Sequence, residues 1–501
     1  MPEQNKPIDI AELMQQSGVG FGTSGARGLV MDMTDRVCYA YTLAFLQYLI
    51  AQGNLTVGQQ VAIAGDFRSS TPRIMGATAK AIQDLGCKPI NCGLIPTPAL
   101  TLYGITHNIP SLMVTGSHIP DDRNGIKFNK PSGEILKQDE AAIRSQTVTI
   151  PAGYFCADGM AQEALPLPAE DPTAYHNFIQ RYLDFFPPKA LQGRRIGLYE
   201  HSSVARQMLG EILEKLGAEV TRLNRSQAFI PVDTEAIRPE DIELAREWAL
   251  TYKFDCIIST DGDGDRPLIS DEHGNWLRGD LLGILCAHYL RAGWVVTPVS
   301  SNSALEKSGW FAGVKRTRIG SPYVIAAMNS ALAQGIPNVV GYEANGGFLT
   351  ATDITQQGRI LPALPTRDAV IGPLAVLMLA AESAITISNL VAKLPQRFTS
   401  SDRIKNFPTK LSQSHIATLN SDDFKHDKAA IEAIFAVHFG LVKALDNTDG
   451  LRITFANKEV VHLRASGNAP ELRCYNEADT PQRAAEMNRI CIKILEGWRT
   501  A

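Results

Sequence analysis

Val61-Ala62-Ile63-Ala64, then Ser70-Thr71-Pro72, then Gly86 ahead of Lys88-Pro89-Ile90-Asn91, spell out a strand, a helix and a second strand. An unbroken apolar run of four suits a strand covered on both faces, as parallel sheets require. Proline just inside a helix start and glycine just past its end mark the boundaries between the strands. The order recurs. Arg195-Ile196-Gly197-Leu198-Tyr199 leads to Ser202-Ser203, a helix with Val204, Met208, Leu209, Ile212, Leu213 and Leu216 on one face, then Gly217 and Ala218-Glu219-Val220. A third copy runs from Arg316-Thr317-Arg318-Ile319 through Ser321-Pro322, a helix with Val324, Ala327, Met328, Ala331 and Leu332, to Gly335 and Val339-Val340-Gly341. Three such units predict three related α/β domains, each a mixed sheet between helices. Apolar faces of this kind arise in any α/β chain, so the repeat speaks to domain number more than to function.

Working outward, 501 residues are too many for one core and suit three or four domains. Pro151 to Pro172, rich in Pro, Ala and Gly, reads as a linker, and Leu394-Pro395-Gln396-Arg397 opens a more polar stretch. After it, alternation in Leu451-Arg452-Ile453-Thr454-Phe455 and Val460-Val461-His462-Leu463, with a closing helix from Pro481 to Trp498, suits a smaller C-terminal α+β domain. The expected domains are 1–160, 161–274, 275–396 and 397–501.

Apolar content of 45% and charged content of 20% describe a globular chain. A net charge of −4 leaves no electrostatic footprint for nucleic acid, so a phosphate-bearing partner has to be recognised at a local site. No segment is apolar for long enough to cross a bilayer, and Met1-Pro2-Glu3-Gln4-Asn5-Lys6 lacks the pattern of a signal peptide. A cytoplasmic protein without membrane contact is expected. Its eight cysteines have no C-x-x-C spacing and read as reduced and structural.

Four loops carry the chemistry. In Val114-Thr115-Gly116-Ser117-His118-Ile119-Pro120, Gly116 and Pro120 force a turn after an apolar strand end, and Ser117 can present its hydroxyl as a nucleophile. The same turn has an ordinary reading, since serine is a common turn residue. Ser259-Thr260-Asp261-Gly262-Asp263-Gly264-Asp265-Arg266 puts three carboxylates at alternate positions, where they repel unless a hard cation lies among them. A calcium EF-hand competes, with Glu272 at its twelfth position. Against it, Arg266 stands where the EF-hand turn needs glycine, and the flanks read as strands. Leu463-Arg464-Ala465-Ser466-Gly467-Asn468-Ala469-Pro470-Glu471-Leu472-Arg473 combines arginine, hydroxyl, amide and a glycine that frees backbone N–H groups, a nest for phosphate oxygens. Gly341-Tyr342-Glu343-Ala344-Asn345-Gly346-Gly347-Phe348 offers an acid and an amide that could bond vicinal sugar hydroxyls, or is simply a turn.

In this order the four loops, with Phe21-Gly22-Thr23-Ser24-Gly25-Ala26-Arg27-Gly28 and Gly65-Asp66-Phe67-Arg68-Ser69-Ser70 before them, resemble the α-D-phosphohexomutase family of phosphomannomutases and phosphoglucomutases over nearly the whole chain. The resemblance implies four domains around a central active-site cleft. It implies a phosphoserine at Ser117, Mg2+ on Asp261, Asp263 and Asp265 with Ser117 as a further ligand, and Arg27 and Arg266 as cationic clamps. Lys127 would be the general acid/base, with a pKa lowered by desolvation and neighbouring cations. His118 would orient the serine loop or touch its phosphate, or merely pack. Glu343 and Asn345 would grip the sugar, and Arg464, Ser466, Gly467, Asn468 and Arg473 would hold its idle phosphate. The implied activity interconverts hexose 1- and 6-phosphates through a hexose 1,6-bisphosphate, in a monomer or weak dimer.

Two departures bear on specificity. Many bacterial relatives carry a histidine two residues beyond Asn345, where this chain has Gly347, and another in a Thr-Gly-His-Ser turn, where it has Ser321. The Glu-Ala-Asn-Gly-Gly loop resembles one group of phosphomannomutases, which favours mannose, with glucose also accommodated. A phosphoglucosamine mutase, a phosphatase using the same serine, and a non-catalytic sugar-phosphate sensor are the competing functions.

Overall fold

In the computed structural model, which describes residues 7–22, 25–421, 423–466 and 470–499, three sheets of one design follow one another along the chain. In the first, Gln60–Gly65 lies between Lys88–Leu94 and Ser111–Val114, all parallel, and Arg123–Lys130 joins Ser111–Val114 antiparallel. Gly25–Leu29 and Gly20–Phe21 extend it beyond Arg123–Lys130. In the second, Arg195–His201 lies between Glu219–Arg225 and Cys256–Thr260, and Pro267–Ile269 turns back antiparallel. In the third, Trp294–Pro298 lies between Gly313–Thr317 and Val339–Tyr342, followed antiparallel by Phe348–Thr350 and Leu364–Asp368.

The design fixes where the loops go. In each sheet the chain leaves the third parallel strand, makes a short loop and returns antiparallel beside it. Those three loops are 115–122, 261–266 and 343–347: the serine, aspartate and sugar loops. An antiparallel return needs only a tight turn, whereas a parallel one needs a crossover helix. Each loop is therefore short and anchored on a central strand and the strand paired beside it.

The repeat has a different phase from the one the sequence suggests. The helix Ser321–Ala333 joins Gly313–Thr317 to Val339–Tyr342, which are not neighbours but flank Trp294–Pro298. It therefore corresponds to Thr97–His107 and Pro239–Tyr252, the helices that lead into the third strands of the other sheets. The true counterpart of Thr71–Asp84 and Arg206–Lys215 is Ala304–Ser308, between Trp294–Pro298 and Gly313–Thr317. Five residues are too few to show a helical apolar stripe, so pattern reading passes over it.

The C-terminal sheet is antiparallel throughout, in the order Phe398–Lys405, Glu471–Ala478, Val460–Ala465, Leu451–Phe455, Val442–Asp446. Alternation divides its faces. Leu451, Ile453, Val461, Leu463, Leu472 and Cys474 pack with Met487, Cys491 and Leu495 of the helix Pro481–Glu496. The other face is polar. Arg403, Arg473 and Arg464 align in one cross-strand row, and Ser401, Tyr475, His462 and Arg452 in the next.

One apolar cluster runs without interruption through the first three domains, from Ala62 and Met113 through Phe178, Leu198 and Ile258 to Val295 and Leu374. The C-terminal domain has its own cluster. Arg397 joins the two bodies: its guanidinium binds Glu477 at 2.6 Å, Asp479 at 2.5 Å and the Lys458 carbonyl at 2.6 Å, while its own carbonyl accepts from Asn302 at 2.8 Å. All eight cysteines are free thiols. Among the described residues no helix is long and apolar enough to cross a membrane.

Candidate active site

Ser117 has φ +55°, the left-handed region that costs a residue with a Cβ about 1 to 3 kcal/mol. The surroundings hold it there. Its N–H donates to Thr115 Oγ1 at 2.7 Å, and Thr115 donates in turn to Asp66 at 2.7 Å. Arg68, almost wholly buried, gives the loop its shape. Its guanidinium donates to the carbonyls of Ser117 (2.8 Å), Ile119 (2.6 Å), Pro120 (2.6 Å) and Arg123 (3.0 Å), pairs with Asp66 at 3.2 Å, and lies 4.0 Å from the Phe229 ring centroid. A Cβ on Gly116 would come 2.6 Å from Arg68 Cζ, so only glycine lets the arginine pass.

The Ser117 hydroxyl donates to Asp261 Oδ2 at 2.8 Å, across the boundary between the first two sheets, and lies 3.3 Å from His118 Nδ1. Asp261, Asp263 and Asp265 are buried, and one oxygen from each lies within 4.8 Å of the others. Asp261 Oδ1 folds back to accept from the N–H groups of Asp265 and Arg266, both at 3.1 Å. Thr97 supports Asp263 at 2.5 Å. Burial and the two neighbouring carboxylates push the Asp261 carboxyl well above the usual range. Asp263 and Asp265 are buried too, but the cations beside them outweigh that cost and hold both below it. The Oδ1 atoms of Asp263 and Asp265 are buried without a hydrogen-bond partner. Hard carboxylate oxygens converging with unmet acceptors fit a divalent cation.

Four cations surround the triad. Lys127, on Arg123–Lys130, puts Nζ 2.5 Å from Asp263 Oδ2 and 2.6 Å from Asp265 Oδ2. Its pKa is therefore raised rather than lowered: burial depresses it, but the two carboxylates outweigh burial. Arg266 Nε stands 3.7 Å from Asp265 and 3.9 Å from Asp261. Arg27, opposite Gly125 in the sheet, is lowered to about 10, by burial first and then by Arg266. The same two causes, with Arg27 added, hold His118 well below its usual value, so its imidazole is neutral.

The fourth cation, Arg367 on Leu364–Asp368, belongs to none of the sequence motifs. It binds Asp265 at 2.8 Å and Glu343 at 3.0 Å, linking aspartate and sugar loops. It also accounts for Gly347. A Cβ at 347 would meet Arg367 Cγ and Cδ at 2.6 Å, so a histidine has no room while the arginine lies there. A charged Arg367-Asp368 pair between the apolar runs around Leu364 and Ala369 to Leu379 was the available signal. Ser321, at the other departure, donates to Glu134 at 2.8 Å and Thr366 to the same carboxylate at 2.6 Å, fastening the third domain to the first.

In the sugar loop Glu343 is buried against Arg367, and Asn345 Oδ1 accepts from Gly347 N–H at 3.0 Å. In the C-terminal domain Arg464 stands directly across from Arg473. Like charges directly opposite are unfavourable in a sheet unless anions answer them. Here Asp449 does so for Arg464 at 2.8 Å, and Glu471 for Arg473 at 3.2 Å. Ser466 N–H donates to the Glu471 carbonyl at 2.9 Å. Gly467 and Asn468 lie outside the described residues.

Four family models match the chain in order. They are phosphoglucomutase/phosphomannomutase alpha/beta/alpha domains I, II and III, over residues 18–152, 173–274 and 278–398, and the C-terminal domain of the same family over 420–490. A phosphomannomutase from Salmonella muenchen is 45% identical over 479 residues, covering 95% of either chain. One from Sinorhizobium fredii is 45% identical over 478 residues, covering 95% of this chain and 99% of its own. Among solved structures, a putative phosphomannomutase from Thermus thermophilus superposes with TM-score 0.72 at 20% identity, over 95% of this chain and 99% of that one, and shares the fold.

Proposed function

The chain belongs to the phosphoglucomutase/phosphomannomutase family, and we propose that it interconverts hexose 1-phosphate and hexose 6-phosphate, with mannose the favoured sugar. The observation that carries this reading is the Ser117 hydroxyl held 2.8 Å from a buried triad of carboxylates and ringed by cations. The carboxylates of Asp263, Asp265 and Glu343 stand directly against Lys127, Arg266 and Arg367. A phosphoryl group on Ser117 adds about two negative charges, which one divalent cation on the triad would neutralise. Bound there, Mg2+ would draw charge from the transferring phosphoryl group.

Ser117 carries the phosphoryl group in the resting enzyme. The sugar's free hydroxyl oxygen bonds to phosphorus as the bond to Ser117 Oγ breaks, the hydroxyl proton passes to a base, and Oγ ends as an alkoxide stabilised in place or reprotonated. Arg27 and Arg266 orient the group in flight. Lys127 would serve as that base: with a cation held by Asp263 and Asp265, the two carboxylates that now outweigh burial would no longer do so, and burial would lower its ammonium pKa. His118 steadies the serine loop. Glu343 and Asn345 bind sugar hydroxyls.

One serine transfers at one place, yet the two substrates carry phosphate at opposite ends. The sugar therefore becomes a 1,6-bisphosphate, turns end for end and returns the other phosphate. Arg464, Ser466, Gly467, Asn468 and Arg473 hold whichever phosphate is idle, and the C-terminal domain swings about Arg397 to let the intermediate turn. The enzyme works in the cytoplasm as a monomer or weak dimer.

Intact-protein mass before and after alkaline phosphatase tests the phosphoserine: wild type loses one phosphate, and Ser117→Ala carries none and is inactive. Trace hexose 1,6-bisphosphate should revive stripped wild type. A Ser117→Ala variant with near wild-type turnover refutes the mechanism. In side-by-side assays glucosamine 1-phosphate as the best substrate refutes the sugar assignment.

A further inference from the structure

The connection from Glu219–Arg225 to Pro239–Tyr252, residues 226–238, has no regular structure and is long for the link from a strand to a helix in an α/β domain. It is tied down along its length. Phe229 lies against Arg68, whose guanidinium carbon is 4.0 Å from the ring centroid. The Ile230 N–H donates to Ser202 Oγ at 2.7 Å, Val232 is wholly buried, and Thr234 Oγ1 donates to the Asn345 carbonyl at 2.8 Å. A loop of the second domain is thus fastened to the arginine of the serine loop at one point and to the sugar loop at another. The residue after the second anchor is Glu235, whose own N–H donates to Asp233 Oδ1 at 3.0 Å.

The backbone of Glu235 is held, but its side chain is not. Among the described residues its carboxylate has neither a hydrogen-bond nor an ion-pair partner. Solvent reaches it, yet it is closely walled. Desolvation first, and then Asp233, raise its carboxyl; Glu343 adds to them, and Arg266 and Arg278 oppose them. Tyr475 of the C-terminal domain feels its charge as well. The groups around Glu235 therefore come from the second, third and C-terminal domains, and Arg266 and Glu343 among them belong to the site already described.

The sugar loop by itself is short of acceptors. Glu343 Oε2 already takes Arg367 at 3.0 Å, and Asn345 Oδ1 takes the Gly347 N–H at 3.0 Å. That leaves chiefly Glu343 Oε1 to accept and the Asn345 amide to donate. A pyranose phosphorylated at one end keeps hydroxyls at C2, C3 and C4, and each is a donor whose burial without a partner costs about 1 to 3 kcal/mol. An ionised carboxylate only accepts, so it matches the missing half of the set.

We propose that Glu235 is a further sugar-binding residue: its carboxylate accepts from a ring hydroxyl that the sugar loop leaves unpaired, and so helps to decide which hexose is turned over. This role rests on the mutase reading and adds a specificity residue to it. The backbone is fixed before the sugar arrives, so the bond costs little beyond the rotamer freedom of one glutamate. Because Glu235 and the aspartate loop belong to the same domain, the carboxylate stays with the reaction centre when the C-terminal domain swings.

The test pairs enzyme variants with deoxy sugars. Mannose 6-phosphate titrated calorimetrically into the full-length, dephosphorylated protein should bind about tenfold more weakly to Glu235→Ala than to wild type. Inorganic phosphate, which has no ring hydroxyl, should bind both equally, and their urea midpoints should agree because the side chain is exposed. Glu235→Gln keeps an acceptor oxygen and should recover part of the loss. Among the 2-, 3- and 4-deoxy analogues of the sugar phosphate, the one lacking the hydroxyl that Glu235 accepts should bind wild type and Glu235→Ala alike, while the others keep the penalty. In steady state KM for mannose 1-phosphate should rise about tenfold in Glu235→Ala. No loss of affinity in Glu235→Ala, or a loss that persists undiminished with every deoxy analogue, overturns the proposal. The titrations need no turnover, so a wild type that binds no hexose phosphate at all would refute the mutase reading itself, a result distinct from sugar binding that is indifferent to Glu235.

Discussion

Replacing Arg68 with methionine should damage both stability and catalysis, and the structure sets the scale. The side chain makes four hydrogen bonds to carbonyls of the serine loop, one buried ion pair to Asp66 and one contact with the Phe229 ring. Methionine fills much of the volume but leaves Asp66 as a buried charge with no cation beside it. Removing one member of a buried pair costs about 3 to 5 kcal/mol. Loss of the arginine from the ring adds about 1 to 2 kcal/mol, and water entering from the Pro120 side offsets part of the carbonyl loss. A net destabilisation of about 4 to 7 kcal/mol follows. Catalysis should fall further, because Ser117 keeps its left-handed backbone only while its carbonyl is held. Arg68→Lys retains the ion pair but reaches fewer carbonyls, so it should recover most of the stability and less of the phosphorylation rate. Urea denaturation supplies the first quantity, and the rate at which stripped enzyme regains phosphate from a hexose 1,6-bisphosphate supplies the second. If Arg68→Met costs less than 1 kcal/mol and rephosphorylates normally, the loop is held by something else and the argument fails.

Asp263→Asn should leave the fold intact, slow transfer by about a hundredfold or more, and raise the magnesium concentration needed for half-maximal rate; an unchanged magnesium titration would remove Asp263 from the metal site. Arg464→Ala should impair both half reactions and be poorly rescued by added bisphosphate, since the same nest serves whichever phosphate is idle; selective loss of one direction of single-turnover transfer would contradict this. His201 is buried with a pKa lowered from 6.5 to about 4, by desolvation first. The unfolded chain therefore binds the extra proton first, so this stability is full above pH 6.5 and is lost as pH falls toward 4. At pH 5 the loss is about 2 kcal/mol relative to pH 8, and urea midpoints of wild type and His201→Gln at the two pH values should differ accordingly; equal pH sensitivity would rule it out.

What the sequence made readable was local. Ser117, Asp261, Asp263 and Asp265 declare themselves because their chemistry is written in consecutive residues, and the loops between strand-like runs fall where the sheets reverse. Arg68 was visible as part of a motif but its task was not, since the carbonyls it gathers lie about fifty residues away. Arg367 reaches Asp265 from another domain, and no spacing rule crosses 102 residues. Lys127 was read in the right neighbourhood with the wrong sign of pKa shift, because its carboxylate partners come from the second domain. The third repeat was misphased for the opposite reason. Its first helix is so short that a purely local pattern settled on the next one.

The apolar cluster that runs through the first three domains, with a separate one in the fourth, makes this molecule two cooperative units in heat. The first domain keeps a further cluster of its own on the other face of its sheet, but the shared cluster spans all three sheets, so they should melt together. The smaller one is tethered mainly by polar contacts, Arg397 to Asn302, Ser303 to Glu477 and Ile319 N–H to Asp449 at 3.0 Å. A calorimetric trace should therefore resolve into two endotherms, and a protease acting near the start of Phe398–Lys405 should release a fragment that refolds by itself.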